Sequence, residues 1–141
     1  MASEFILSAV RLADIVRLGI DNVVKIENVL ASVAVKDLAA ATKWYEKVFQ
    51  RPADSTPMRE VAEWKFPRGG WLQVYRLPER AGGCSCTFAV DDLDEMMTHL
   101  RDLGLETGEE IKSDQARVIM IKDPAGNSLA FAQTLDRSMA R

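Results

Sequence analysis

The chain repeats one short pattern in each of its halves, and this repeat constrains the fold more than any other feature. Val35-Lys36-Asp37-Leu38 returns 55 residues later as Val90-Asp91-Asp92-Leu93, and Leu72-Gln73-Val74 returns 57 residues later as Leu129-Ala130-Phe131. In each half, the first motif leads from a strand-like run into a helix, and the second lies in a strand-like run that follows a turn. A unit of this size cannot bury a core of its own, so we expect two similar units that share one core.

Apolar spacing and turn residues divide both units into the same series of elements. The first unit, residues 28–79, is predicted to contain a strand over 29–35, a helix over 38–49 capped by Asp37, one or two strands within 51–66, and a strand over 71–77. The second unit, residues 83–135, is predicted to contain a strand over 84–90, a helix capped by Asp92 and ending at Asp102, two strands within 109–121, and a strand over 128–134. Each unit is thus β-α-β-β-β, in one α+β domain that spans residues 26–135.

Residues 1–25 carry a different pattern, typical of an amphipathic helix that ends near Gly19. Charged side chains recur at every turn, which argues against a membrane span, and the segment has neither the basic start nor the unbroken apolar run of a signal peptide. Its wide apolar face requires cover, either from the body of the domain or from a second subunit. A role at a membrane surface is less favoured, since Lys and Arg do not dominate the polar face. Residues 136–141 form a short tail.

Charge is distributed unevenly between the two units. The net charge of the 141 residues is −3, but residues 26–80 carry nine Lys or Arg and seven Asp or Glu, whereas residues 81–135 carry four and ten. The absence of a basic stripe argues against binding to nucleic acid. The acidic second half could favour a cationic small molecule, but a solvated acidic surface that aids solubility is the favoured interpretation.

The two cysteines, Cys84 and Cys86, are spaced so that both side chains point to one face of a strand. Two cysteines at this spacing provide neither a disulfide framework nor a set of metal ligands, and we interpret them as small apolar side chains. This usage fits the reducing environment of the cytoplasm.

Two longer phrases connect the chain to a known family. Val-Lys-Asp-Leu-(x)5-Trp-Tyr over residues 35–45 and Lys-Asp-Pro-Ala-Gly-Asn over residues 122–127, together with the order of the elements, resemble the vicinal-oxygen-chelate superfamily. This superfamily includes glyoxalase I, extradiol dioxygenases, fosfomycin-modifying enzymes and bleomycin-resistance proteins. The resemblance covers about residues 28–135 and implies that two βαβββ units form an eight-stranded mixed sheet around a cavity.

Enzymes of that superfamily hold a divalent metal in the cavity with His and Glu or Gln side chains from four strands. The resemblance places the four ligand positions at Leu30, Gln73, Ser85 and Ala130, of which only Gln73 offers a metal ligand. The only histidine, His99, is predicted on the solvent side of the second helix. We therefore expect no metal and no cofactor, and not the metal-dependent chemistry of glyoxalases or dioxygenases.

Strand alternation predicts which side chains line the cavity that the resemblance implies. Small residues from three strands leave space, and Trp71 and Tyr75 supply flat apolar surfaces, as in pockets for planar organic ligands. The alternative is that these two rings fill the cavity as core. The predicted ligand-binding residues are Ser32, Trp64, Trp71, Gln73, Tyr75, Ser85 and Thr87. Arg59, Glu60 and Glu63 are the charged candidates at the mouth, although a solvated strand edge is the favoured interpretation for each.

Three functions are compatible with these observations. The first is a cytoplasmic protein that binds and sequesters a small organic molecule without metal, such as an aromatic or glycopeptide antibiotic. The second is a metal-independent lyase or isomerase in which Tyr75 or Glu63 transfers a proton. The third is an interaction module that docks through its N-terminal helix. No nucleophile with an adjacent base is apparent, so we assign no catalytic residue. We expect a homodimer, in which the units pair either within or between chains.

Overall fold

The computed structural model describes residues 24–136. The helix predicted within residues 1–25 and the tail predicted over 136–141 lie outside this range, apart from the inner ends of those segments. The N-terminal helix therefore stays a prediction from sequence. No helix within residues 24–136 is long and apolar enough to cross a membrane.

The repeat of β-α-β-β-β units is confirmed. The first unit consists of β1 (Leu30–Val35), α1 (Leu38–Phe49), β2 (Ser55–Met58), β3 (Val61–Lys65) and β4 (Trp71–Arg76). A short 3-10 turn (Pro78–Arg80) connects it to the second unit, which consists of β5 (Ser85–Ala89), α2 (Leu93–Asp102), β6 (Ile111–Lys112), β7 (Ala116–Lys122) and β8 (Ser128–Thr134).

The eight strands form two mixed sheets of four, with the orders β1-β4-β3-β2 and β5-β8-β7-β6. In each sheet the first and last strands of the unit pair in parallel, and the other pairings are antiparallel. The predicted α+β class, with eight strands from two similar units, is therefore confirmed. We refer to the two sheets as sheet 1 and sheet 2.

The repeated Asp-Leu motif acts as a helix N-cap in both units. The Asp37 side chain accepts a hydrogen bond from the backbone N–H of Ala40 at 3.1 Å, and the Asp92 side chain accepts one from Glu95 at 3.0 Å. Each carboxylate thus satisfies one of the amide groups that have no partner within the helix. This is the physical reason that the same dipeptide recurs where a strand turns into a helix.

The helices and one side of each sheet form a single shared core. Its centre is a chain of aromatic rings from both units, whose successive centroids are 5.3 to 5.9 Å apart. Such ring pairs add to the stabilisation from buried area. The rings belong to Tyr45, Phe49, Trp64, Phe66, Phe88 and Phe131.

The Asp-Pro-Ala-Gly-Asn turn between β7 and β8 joins the two units through Asn127, which is completely buried. The Asn127 Oδ1 atom accepts hydrogen bonds from the backbone N–H groups of Gly82 at 2.8 Å and Cys84 at 3.0 Å. Its Nδ2 group donates to the backbone oxygen of Ala34 on β1 at 2.7 Å and to the Asp123 carboxylate at 2.8 Å. One amide side chain thereby connects the first strand, the linker and the final hairpin, and we call this set the Asn127 clasp.

Asp123 extends the clasp to the first helix. The Tyr45 hydroxyl donates a hydrogen bond to Asp123 Oδ2 at 2.8 Å. Burial, followed by the nearby Asp123 charge and this hydrogen bond, raises the pKa of Tyr45 far above its usual range, so the hydroxyl stays protonated as a donor. Gly82 fits against the same turn because a Cβ atom there would lie 2.8 Å from the Ala125 backbone oxygen, and its φ of +93° also favours glycine.

His99 also connects the two units, contrary to its predicted position facing solvent. Its Nε2 atom lies 3.0 Å from the backbone oxygens of both Lys47 and Val48 in the last turn of α1, and its Nδ1 atom lies 3.4 Å from Gln50 Nε2. Because a backbone oxygen can only accept, Nε2 carries the proton and Nδ1 accepts from Gln50. The imidazole thus satisfies the end of α1, which sequence periodicity within α2 could not reveal.

Candidate functional site

The side of sheet 1 that faces away from the helices carries the candidate site. Strand pairing places Leu30 beside Trp71, Ser32 beside Gln73, and Ala34 beside Tyr75, and β3 adds a third row. We call this surface the open face of sheet 1. It consists of Leu30, Ser32 and the buried Ala34 from β1, Trp71, Gln73 and Tyr75 from β4, and Val61, Glu63 and Lys65 from β3.

Four of the predicted ligand-binding residues share this face. Ser32, Trp71, Gln73 and Tyr75 lie on adjacent strands, and the rings of Trp71 and Tyr75 flank Gln73 along β4. Both rings are only partly buried, whereas the residues between them in sequence, Leu72 and Val74, lie in the core. The side chains of Trp71 and Tyr75 are therefore available on the surface of the chain instead of filling its core.

A chain of hydrogen bonds crosses this face from β1 to β2. The Ser32 hydroxyl donates to Gln73 Oε1 at 3.1 Å, and Gln73 Nε2 donates to Glu63 Oε2 at 2.7 Å. The Ser55 hydroxyl donates to Glu63 Oε1 at 3.1 Å. Each member orients the next, so the face presents a fixed row of polar groups between two aromatic rings.

Glu63 is the site residue to which sequence reasoning gave too little weight, by favouring a solvated strand edge. It is only partly exposed, and both of its carboxylate oxygens accept hydrogen bonds on the open face. The alternation of β3 contains the signal, because Glu63 pairs with Gln73 and shares its side of the sheet. That pairing depends on the turn over residues 66–70, which fixes the register of β3 against β4.

Trp64 does not lie on the open face, which corrects its predicted position. It pairs with Leu72 across the sheet, so its side chain points to the helices, and none of its surface is exposed. Its ring contacts those of Tyr45 and Phe49, and its Nε1 group donates to the Arg51 backbone oxygen at 3.3 Å. Trp64 is a core residue because it alternates with Glu63.

The other two predicted ligand-binding residues, Ser85 and Thr87, lie on the equivalent surface of sheet 2. We call this surface the open face of sheet 2, and its side chains are mostly small. It consists of Ser85, Thr87 and Ala89 from β5, Ser128, Ala130 and Ala132 from β8, and Val118, Met120 and Lys122 from β7. Lys122 donates from Nζ to the Ser128 hydroxyl at 2.6 Å.

The two open faces do not enclose a common cavity within residues 24–136. Ser32, Ser85 and Thr87 are all exposed, and Leu30 and Met120 retain 43% and 42% of their possible exposure. One end of the open face of sheet 1 deepens into a depression of about 360 Å³, which is lined by Met58, Arg59, Glu60, Val61, Tyr75 and Arg76. Two of the charged residues predicted at the mouth therefore border this depression, and Glu60 lies 3.7 Å from Arg76 as an ion pair.

Strand register shows which side chains lie beside Gln73 and Ala130, the two late-strand positions that the resemblance assigned to metal ligands. Ser32, and not Leu30, lies beside Gln73, and Thr87, and not Ser85, lies beside Ala130. These four side chains offer one amide and two hydroxyls, and the amide oxygen already accepts from Ser32. Such a donor set does not fit a divalent ion. Within residues 24–136, no three His, Cys, Asp or Glu side chains come close enough to share a metal.

Comparison with known proteins agrees with this architecture. Residues 30–132 match the sequence model of the family described as Glyoxalase-like domain. A glyoxalase / bleomycin resistance protein from Catenulispora acidiphila DSM 44928 is 30% identical, with 75% of this chain and 96% of that chain covered and a TM-score of 0.68. No curated protein matches the sequence.

Two further solved structures share the fold at lower identity. TnmS3, an antibiotic binding protein from Streptomyces sp. CB03234, is 21% identical, with 79% and 99% of the two chains covered and a TM-score of 0.70. A lactoylglutathione lyase from Agrobacterium tumefaciens is 20% identical, with 77% and 95% covered and a TM-score of 0.64. The match over residues 30–132, the two βαβββ units and these neighbours agree: the chain belongs to the glyoxalase-like domain family, within the vicinal-oxygen-chelate superfamily.

Proposed function

We propose that this protein binds and sequesters a small planar organic molecule, such as an aromatic or glycopeptide antibiotic, without a metal ion. The observation that carries this proposal is the open face of sheet 1, where Trp71 and Tyr75 flank a fixed row of hydrogen-bonding groups. Flat apolar surfaces with a few well-placed polar groups are typical of sites for small organic ligands. The two free thiols fit a reducing, cytoplasmic location.

The comparisons support binding as one function that this fold performs. TnmS3 is named as an antibiotic binding protein, while the Agrobacterium protein is named as a lyase. The two share this fold at similar identity, so the choice between them depends on the residues of the site. Here the donor set at the ligand positions favours binding, since Ser32, Thr87 and Ala130 supply no strong metal ligand.

In the proposed complex, the rings of Trp71 and Tyr75 stack against the ligand, and Ser32 and Gln73 provide hydrogen bonds. A second copy of the chain encloses the ligand by placing its open face of sheet 2 over this surface. The bulky side chains of one face and the small side chains of the other are complementary in volume. Residues 26–80 and 81–135 also carry opposite net charges, which favours this pairing over the pairing of like units. Ser85 and Thr87 of the partner subunit would then complete the site in a twofold dimer.

The direct test is a titration of the full-length protein with planar aromatic and glycopeptide antibiotics. Tryptophan fluorescence and calorimetry both detect the binding. We expect ligand-induced quenching in the wild type, loss of that quenching in Trp71→Ala, and weaker calorimetric binding in both Trp71→Ala and Tyr75→Ala. Trp44→Phe is the matched control, since Trp44 lies on α1 on the other side of the sheet. Unchanged quenching in Trp71→Ala would refute the proposed stacking.

A second candidate function, a metal-independent lyase or isomerase, is favoured by one observation. Glu63 places a carboxylate on the same face as the Tyr75 hydroxyl, and both groups can transfer protons. If the bound compound is converted, turnover should be lost in Glu63→Gln or Tyr75→Phe even at ligand concentrations that saturate the variant. Full turnover in both variants would remove these two residues from any catalytic role.

A further inference from the structure

We infer that the ligand carries a cationic nitrogen, such as an amine, amidinium or quaternary ammonium group on a planar aromatic framework. The Glu63 carboxylate receives this nitrogen between the rings of Trp71 and Tyr75. The inference rests on the proposed binding function and specifies the chemical class of the ligand.

The Glu63 carboxylate is held in a fixed position on the open face of sheet 1. Gln73 Nε2 donates to one oxygen at 2.7 Å, and the Ser55 hydroxyl donates to the other at 3.1 Å. The amide of Gln73 is itself oriented by Ser32 at 3.1 Å. A carboxylate oxygen accepts more than one hydrogen bond, so both oxygens keep acceptor capacity for a ligand after these contacts.

Within residues 24–136, no cationic side chain forms an ion pair with this carboxylate. The ion pairs within residues 24–136 join Arg51 to Asp54, Arg76 to Glu60, and Arg117 to both Asp94 and Glu110, and none of them includes Glu63. The nearest cation along β3 on the same face is Lys65, whose Nζ atom lies over the ring of Trp71. A half-buried carboxylate without an ionic partner attracts a cation and repels an anion.

The two aromatic rings strengthen this preference. Lys65 Nζ lies 5.7 Å from the centroid of the Trp71 ring, so the protein already places a cation against one of these rings. The faces of Trp and Tyr rings carry partial negative charge and attract cations, most strongly where water is excluded. A positively charged planar ligand would therefore gain from the rings and from the carboxylate at once.

The experiment compares three planar probes of similar size that differ in charge. Calorimetry on the full-length protein at neutral pH measures the affinity for the 9-aminoacridinium cation, neutral 9-anthracenemethanol and the anthracene-9-carboxylate anion. We expect the cation to bind at least about tenfold more tightly than the anion, and Glu63→Gln to weaken cation binding by about tenfold. Glu46→Gln is the matched control, because it removes the same charge from α1, on the opposite side of sheet 1.

Two further measurements keep the inference testable if Glu63→Gln disturbs the fold. Cation binding to the wild type should weaken as ionic strength rises, and Lys65→Gln should tighten it by removing a competing charge from the face. Equal affinity for all three probes, or cation binding that neither salt nor Glu63→Gln changes, would overturn the inference and leave the proposed function standing. Failure of all three probes to bind would contradict the proposed function itself.

Discussion

Replacement of Asn127 by alanine should destabilise the protein more than any surface substitution, because it removes all four hydrogen bonds of the clasp. The backbone oxygen of Ala34, a completely buried residue, loses its hydrogen-bond partner. The backbone N–H groups of Gly82 and Cys84, whose bonds to Asn127 are partly buried, lose theirs as well. An unsatisfied buried polar group costs about 1–3 kcal/mol, so we expect a loss of about 2 kcal/mol for the fully buried carbonyl and about 1 kcal/mol for each of the two amides. The total, about 4 kcal/mol, is a large share of the stability of a typical domain.

Urea unfolding followed by tryptophan fluorescence and circular dichroism would measure this loss. Asn28→Ala is the matched control: Asn28 also uses its side-chain nitrogen and oxygen, with Gly69 and Val29 as partners, but it is exposed. We expect Asn28→Ala to lower the free energy of unfolding by less than about 1 kcal/mol. Asn127→Asp, which preserves volume, separates hydrogen bonding from the loss of packing. It places a second carboxylate beside Asp123 and should be at least as destabilising as Asn127→Ala at neutral pH. Equal, small losses in Asn127→Ala and Asn28→Ala would refute the role of the clasp.

Three other predictions concern the links between elements. Arg117 holds the pKa values of Asp94 and Glu110 below their ordinary 3.8 and 4.5, so these pairs stabilise the fold above those values and lose that contribution as pH falls through the lowered pKa values. Urea unfolding at a series of acidic pH values should therefore show that the free energy of unfolding falls less steeply with falling pH in Arg117→Gln than in the wild type. The same steepness in both proteins would contradict this prediction. His99→Ala should lower the free energy of unfolding by about 1 kcal/mol and speed amide exchange in the last turn of α1; unchanged exchange there would argue against the contact. Deletion of residues 1–24 should leave the mass from light scattering at that of a dimer, whereas a monomer would identify the N-terminal segment as the interface.

The sequence was sufficient for the parts of the fold that depend on local chemistry. The repeated Asp-Leu pairs were recognisable as N-caps because one side chain and one nearby amide make that contact. Alternation along β4 placed Trp71, Gln73 and Tyr75 on a common face because a strand has a period of two.

The errors arose where position depends on contacts distant in sequence. Trp64 was assigned to the pocket because its place relative to β4 depends on the register of a strand pair, although alternation separates it from Glu63. His99 was predicted to face solvent because its partners belong to the other unit. The turn at residues 123–127 was evident from its sequence, but the contact of Asn127 with Ala34 spans 93 positions and leaves no local signal.

The most direct test of the central claim is the affinity for a planar aromatic ligand before and after treatment with a chelator, with metal content determined by elemental analysis of the same samples. The proposed metal-free site predicts the same affinity in both samples, with metal far below one ion per chain even after incubation with excess nickel, manganese, zinc or iron and dialysis. Stoichiometric metal whose removal abolishes binding would contradict the account and would indicate a metal-dependent site on the open face of sheet 1.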